Sequence, residues 1–156
     1  MRELLFRGKR TDDGAWVFGS YVVATHKYSR DQKSAPHKSW IITRAHGNGG
    51  WFTAVQRFPV IDETVSQFTG MLDRDGRRIF EGDIVMNHLD PKEPDEETLG
   101  VILWDEKRDG WGYREYRDIF QDGLDDVSGI DGKWKVVDNI YENDEWYEKV
   151  MRPKAE

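Results

Sequence analysis

The chain has 156 residues and carries 30 Asp and Glu against 23 Lys and Arg, a formal charge of −7 with a pI near 5.2, and it has no cysteine. The missing cysteines exclude disulfides, thiolate zinc sites and a cysteine nucleophile. The acidic balance opposes non-specific nucleic-acid binding, whose affinity comes from Lys and Arg on phosphates.

Hydrophobic residues make up 37% and charged residues 34%, so one domain or two small lobes must be filled by the 13% aromatics, seven Trp among them. The opening Met1-Arg2-Glu3-Leu4-Leu5-Phe6-Arg7 has no apolar stretch of signal-peptide length. No window approaches the ~18 apolar residues of a membrane span. With a mean hydropathy of −0.81, the expectation is a cytoplasmic protein without membrane partners.

Leu4-Leu5-Phe6-Arg7 starts a short strand, Asp12-Asp13-Gly14 is a turn, and residues 16–23 return as a second strand, making a hairpin by loop chemistry. Residues 25–38 have little periodicity and read as a loop. Trp40-Ile41-Ile42-Thr43 is a strand, Gly47-Asn48-Gly49-Gly50 a turn, and residues 51–58 its partner, stopped by Pro59, which cannot donate to a ladder.

After a turn at Asp62-Glu63 comes the stretch that organises the chain, residues 67–85. Here a strand over 65–69 must end or bend at Gly70, Asp75-Gly76 suits a tight hairpin, and Gly82-Asp83 turns into Ile84-Val85. Residues 87–98, with two prolines and a carboxylate run, read as a surface excursion. Gly100-Val101-Ile102-Leu103-Trp104 resumes a strand, and 105–128 is a strand followed by irregular structure. The Asp131-Gly132 turn leads into a final strand region over 134–141. Asn143 then caps a short helix over 144–151, with Asp144 and Glu145 at its positive dipole end.

Asp73-Arg74-Asp75-Gly76 superficially resembles a calcium loop. Aligning Gly76 with the obligatory glycine, however, puts Met71 and Gly82 at the first and last ligand positions, so a hairpin turn is the better reading. His26, His37, His46 and His88 show no i, i+4 pair, and read as solvated histidines rather than a metal or acid–base site. The acidic run from Asp90 to Glu97, and Asp125-Asp126, read as solvated loops. No phosphate loop, nucleophile elbow or zincin helix is present. Trp104, in an apolar strand, is expected in the core; for Trp111, Tyr113, Tyr116 and Phe120, core and interface both stand.

Gln67-Phe68-Thr69-Gly70-Met71-Leu72-Asp73, Gly76 and Ile79-Phe80-Glu81-Gly82-Asp83-Ile84-Val85 resemble the YopX family, found mainly in bacteriophages and prophages. Phe6-Arg7-Gly8-Lys9 with Gly14-Ala15-Trp16-Val17, Ile61-Asp62-Glu63-Thr64-Val65, and Val137-Asp138-Asn139-Ile140-Tyr141-Glu142-Asn143 are similar to its other blocks, in the family's order. Ser66 and Asp138 stand where the family often has Gly, and Asp144 where it often has Pro.

The expected fold is mainly β, α+β at most, with an N-terminal β-hairpin lobe over 1–66 and a second lobe over 67–156 that ends in the short helix. The resemblance implies that the second lobe is an SH3-like β-barrel. It implies no catalytic residue, and the residues themselves offer neither a metal site nor a cofactor. The leading expectation is a non-enzymatic, phage- or prophage-encoded binding or oligomeric interaction module, its partner a second copy or a host or phage protein. Nucleic acid is disfavoured by net charge. A nucleic-acid-binding SH3-like module is the alternative, through Arg7 with Lys9-Arg10 and Arg74 with Arg77-Arg78, and it gains if those arginines form one patch beside exposed aromatics. A metal-dependent hydrolase using carboxylates and a loop His is a further alternative.

Overall fold

The computed structural model describes residues 3–23, 39–45, 54–87, 98–116 and 124–151. The chain forms two compact units, Met1–Gln67 and Phe68–Glu156. Both are built from antiparallel strands.

In the first unit, β1 (Phe6–Lys9) and β2 (Trp16–Val23) form the expected hairpin around Asp12-Asp13-Gly14, whose backbone is held by Asp13 Oδ1 accepting from the Ala15 N–H at 2.9 Å. β2 pairs with β3 (Ser39–Ala45), and β3 with β4 (Ala54–Pro59), in unbroken register. A 3-10 turn, Asp62–Thr64, then leads to β5 (Ser66–Leu72), whose first two residues pair with β1. Strand order in this unit is β4-β3-β2-β1 followed by the start of β5.

Side chains alternate across a strand, so a regular register assigns each residue a face. One face of the first unit's sheet carries fully buried Ile41 beside Phe6 and Tyr21, whose rings lie 5.5 Å apart. Buried Val60 follows the end of β4. Thr64 ties the 3-10 turn to β1 by accepting the Lys9 N–H at 2.9 Å.

In the second unit, β5 continues through Gly70 to Leu72 and pairs with β6 (Arg78–Phe80) across a register shift between Phe68 and Leu72. The strand therefore bends at Gly70 rather than ending there. The Thr69 hydroxyl covers the irregularity, donating to the Ile79 carbonyl at 2.8 Å and accepting the Met71 N–H at 3.1 Å.

β7 (Asp83–Asn87), β8 (Thr98–Asp105), β9 (Gly110–Glu115), β10 (Asp125–Asp126) and β11 (Lys135–Asn139) form a five-stranded sheet in the order β10-β9-β8-β7-β11. β10 lies within the segment expected to be irregular, and two residues are too short for a periodic signal. Where the resemblance implies an SH3-like barrel, this sheet is open: among the described residues β10 and β11 are its two edges, and no closed barrel forms.

The second unit's sheet is buried on both faces, which is why its central strands are continuous apolar runs instead of alternating ones. Ile84 and Val101 point to a cluster with Ile140, Trp146 and Val150. Their neighbours Val85 and Ile102 point to a second cluster with Ile79, Ile130 and Trp134. The helix α1 (Asp144–Met151) supplies Trp146 and Val150, an i, i+4 pair on one helix face. Asn143 caps it, its Oδ1 accepting the Trp146 N–H at 3.3 Å. Among the described residues no helix is long and apolar enough to cross a membrane.

Candidate functional site

Two of the charged candidates, Asp73 and Asp126, hold turns. Asp73 is buried (2% exposed); its Oδ1 accepts the N–H groups of Asp75 and Arg77 at 2.9 and 2.8 Å, and its Oδ2 that of Val136 at 3.2 Å. Burial pushes its pKa up, but those N–H donors and the Arg77 charge outweigh it and hold the carboxyl below the usual aspartate value. A carboxylate saturated by backbone donors is a turn clamp, in keeping with the hairpin reading.

Asp126 accepts from both the N–H and the hydroxyl of Ser128, at 2.9 Å each. Asp105 accepts the Lys107 N–H and pairs with Arg108 at 2.8 Å. Among the described residues no three His, Asp or Glu side chains converge to hold a metal ion. His26, His37, His46, His88, the run from Asp90 to Glu97, and Phe120 lie outside the described residues.

The aromatic set divides between the two faces of the second unit's sheet. Tyr113 packs on Trp134, rings 5.1 Å apart, and with Trp111 joins the Ile102 cluster. Tyr116 packs on Trp146 at 4.9 Å and donates its hydroxyl to Glu145 at 2.6 Å. Trp104 is not in the core: it is 41% exposed, its ring edge against Trp111 at 4.9 Å. It stands one residue from the end of β8, beyond the layer that Ile102 fills, so the apolar run continues past the core it serves.

The basic clusters also separate. Arg7 and Lys9 share a face of β1, whereas Arg10 stacks on Phe58 at 4.6 Å and is paired with Asp12 and Asp13. Arg74, Arg77 and Arg78 are exposed in the second unit, Arg78 lying 5.8 Å from the Phe68 ring centre.

The residues that do converge come from four strands of the first unit. The registers Arg7↔Phe18, Lys9↔Trp16, Val22↔Trp40, Ile42↔Arg57 and Arg44↔Val55 put all ten of these side chains, with Ser20, on the sheet face opposite Ile41. Four are cationic, and none of the strand residues on this face is acidic. Phe18 is 46% exposed and Val55 63%, and Val22, Arg44 and Arg57 are also exposed.

Arg7 is the buried end of the patch, its Nε donating to the Ser66 hydroxyl at 3.0 Å and its guanidinium 4.7 Å from the Trp16 ring centre. The Lys9 ammonium lies 5.8 Å from the same ring. Arg44 and Arg57 sit on a diagonal of the β3–β4 ladder, close enough for two side chains to engage one anion, and among the described residues neither makes an ion pair.

Sequence reasoning missed Arg44 and Arg57, although alternation through Trp40, Ile42 and Arg44, and through Val55 and Arg57, was available as a signal. It also missed a division of charge. The first unit holds ten Lys and Arg against six Asp and Glu, a formal +4, and the second thirteen against twenty-four, a formal −11.

The fold is thus that of a mainly β protein of two antiparallel units, one carrying an exposed aromatic–cationic sheet face. The chain belongs to the YopX protein family, which it matches over residues 5–148. Its fold is similar to the crystal structure of protein EF1440 from Enterococcus faecalis, at a TM-score of 0.50 and 20% identity over 93% of this chain and 98% of that one. No curated protein matches it.

Proposed function

We propose that the chain is a non-enzymatic, cytoplasmic binding module of phage or prophage origin whose interaction surface is the exposed sheet face of the first unit. The observation that carries this reading is the exposure of Phe18, Val22 and Val55 on one face with Arg44 and Arg57. Exposed apolar groups rimmed by charge on a regular sheet are a feature of binding surfaces, since folding alone is better served by polar residues there. Asp73, Asp105 and Asp126 serve backbone turns, which supports binding over catalysis.

The test is capture from extracts of infected or lysogenic cells on immobilised protein, with proteins and nucleic acids both identified. The wild type should retain a component that a Phe18→Ala, Val55→Ser double variant loses. Equal retention by the two would end the reading.

Self-association is a second reading, favoured by the edge strand β11. Among the described residues it pairs only with β7 and exposes Val137. Light scattering across a wide concentration range should give more than a monomer mass. A monomer throughout would sink it.

A further inference from the structure

We propose that the outer edge of β4 takes an extended acidic segment of a partner protein as an added antiparallel strand, with a carboxylate beside Arg57 and an apolar side chain beside Val55. The proposal rests on this sheet face being the interaction surface, and it adds the mode of docking and the chemistry of the partner.

The β3–β4 ladder decides which backbone groups the edge offers. Along an antiparallel pair, residues alternate between those bonded to the partner strand and those whose N–H and C=O point away from it. The Val60 N–H donates to the Ser39 carbonyl at 3.1 Å, a bond that flanks a non-bonded pair, so Trp40↔Pro59 is of that kind. The Pro59 carbonyl accordingly faces outward, where it accepts the Thr11 N–H at 3.1 Å. Counting in twos along the unbroken register makes Ile42↔Arg57 and Arg44↔Val55 non-bonded pairs as well. The N–H and C=O groups of Val55 and Arg57 therefore point out from β4, which is an edge strand among the described residues. No described residue takes them up.

The same two residues present their side chains. Val55 is 63% exposed, and Gln56 and Arg57 are exposed too, so this end of β4 is bare on both faces. Arg57, with Arg44 one strand behind it, makes no ion pair among the described residues, and no strand carboxylate shares their face. A charge on an edge strand deters any added strand that cannot neutralise it. Arg57 thus selects for acid, while main-chain bonds and Val55 supply contacts that charge alone does not. A nucleic acid fits this corner less well. Strong binders neutralise about six to ten phosphates, and a sugar–phosphate chain has no N–H and C=O ladder to offer.

Side chains on one face of a strand recur every second residue. In an antiparallel addition the residue beside Arg57 comes two positions before the one beside Val55, so the partner should read acid, any residue, apolar. The probe is a fluorescein-labelled peptide of repeated Glu-Thr-Val-Thr, about 12 residues, longer than a typical strand, followed by anisotropy with the full chain. It should bind, more weakly as salt rises. Repeated Glu-Val-Thr-Thr has the same composition but puts acid and apolar groups on opposite faces, and should bind about ten-fold more weakly. N-methylation of every Glu removes the N–H that the Arg57 carbonyl would accept, and should abolish binding.

Arg57→Gln should weaken binding about ten-fold and flatten the salt dependence. Val55→Pro should abolish binding while melting close to the wild type, because the N–H it deletes is not one that β3 uses. If Val55→Pro proves unfolded, the N-methylated peptide on the wild-type chain makes the same test. Failure of the Glu-Thr-Val-Thr peptide to bind would overturn the proposal. So would equal binding of the N-methylated or Glu-Val-Thr-Thr peptide, or displacement by oligo-dT as effective as by unlabelled peptide. Extract capture that still depends on Phe18 and Val55 without peptide binding would remove the acidic-strand assignment alone and leave the interaction surface standing.

Discussion

A Cβ placed on Gly82 would stand 2.8 Å from Cε2 of Tyr141, and Gly82 holds φ near +78°. Its backbone cannot readily move to relieve that contact. The Gly82 N–H donates to the Ile102 carbonyl at 2.7 Å, and its own carbonyl accepts the Ile140 N–H at 2.9 Å. Gly82 thus stitches β8 to the residues after β11, at the point where the chain turns from β6 into β7.

Gly76 provides the internal control, because it has the same φ of +78° with nothing within 4 Å of its would-be Cβ. Gly76→Ala should cost about 1–2 kcal/mol, from left-handed strain alone. Gly82→Ala should cost a further 1–3 kcal/mol, roughly, from overpacking against Tyr141 and Ile140. Gly82→Val should be worse than either, since its side chain is larger and branched. Denaturant melts of the three variants test this, and equal costs for the two alanines would show that the Tyr141 ring yields freely.

Asp73 should make the fold acid-sensitive. Its folded-state pKa lies below the ordinary value, so its contribution is complete above about pH 4 and is lost as pH falls through the folded-state value. Asp73→Asn keeps an acceptor for Asp75 and Arg77 but sets an amide N–H₂ against the Val136 N–H. The cost at neutral pH should be on the order of 2 kcal/mol. The gap between wild type and variant should close in acid, because protonated Asp73 loses the same bonds. A gap that stays constant down to pH 2 would mean that the carboxylate charge is not what these donors need.

The turn chemistry was legible because it is local. Asp75-Gly76, Gly82-Asp83 and the Asn143 cap each need one residue type at one backbone position. The sheet face was not legible, because it depends on register between segments far apart in sequence. Lys9 and Arg10 look like one basic cluster, yet neighbours on a strand point to opposite faces: Lys9 lies near Trp16 while Arg10 packs on Phe58. Arg44 and Arg57 look unrelated until the β3–β4 ladder sets them on one diagonal. Trp104 misled for a similar reason. A strand buried on both faces reads as one apolar run, and nothing in the run marks where the core layer stops.

Glu81 should be a liability at neutral pH. Burial raises its pKa, and the N–H donated by Trp104 offsets this only in part. A carboxyl whose folded-state pKa is raised destabilises the fold as pH climbs past its unfolded value, and fully so above the folded one. Glu81→Gln keeps the acceptor for Trp104 without the charge. The variant should melt higher than the wild type at pH 7, with the advantage gone near pH 4, where both side chains are neutral in either state. A variant that is less stable at pH 7 would show that Glu81 has a charge partner that outweighs its burial.

The hydrolase alternative would depend on a metal ion, because the sequence holds no nucleophile elbow. A soft site needs thiolates, and the chain has none. A hard site needs several carboxylate oxygens facing one point. Asp73 presents both of its oxygens to backbone N–H groups, and Asp126 gives both to Ser128. Freeing either for an ion would break the turn it holds, so metal binding there would compete with folding rather than support it. Elemental analysis after gentle purification should find no stoichiometric transition metal, and a chelator should leave the melting temperature unchanged. A bound metal at one per chain, or a clear chelator-induced drop, would require a ligand set that these turns do not supply, and would place hydrolysis ahead of binding as the chain's activity.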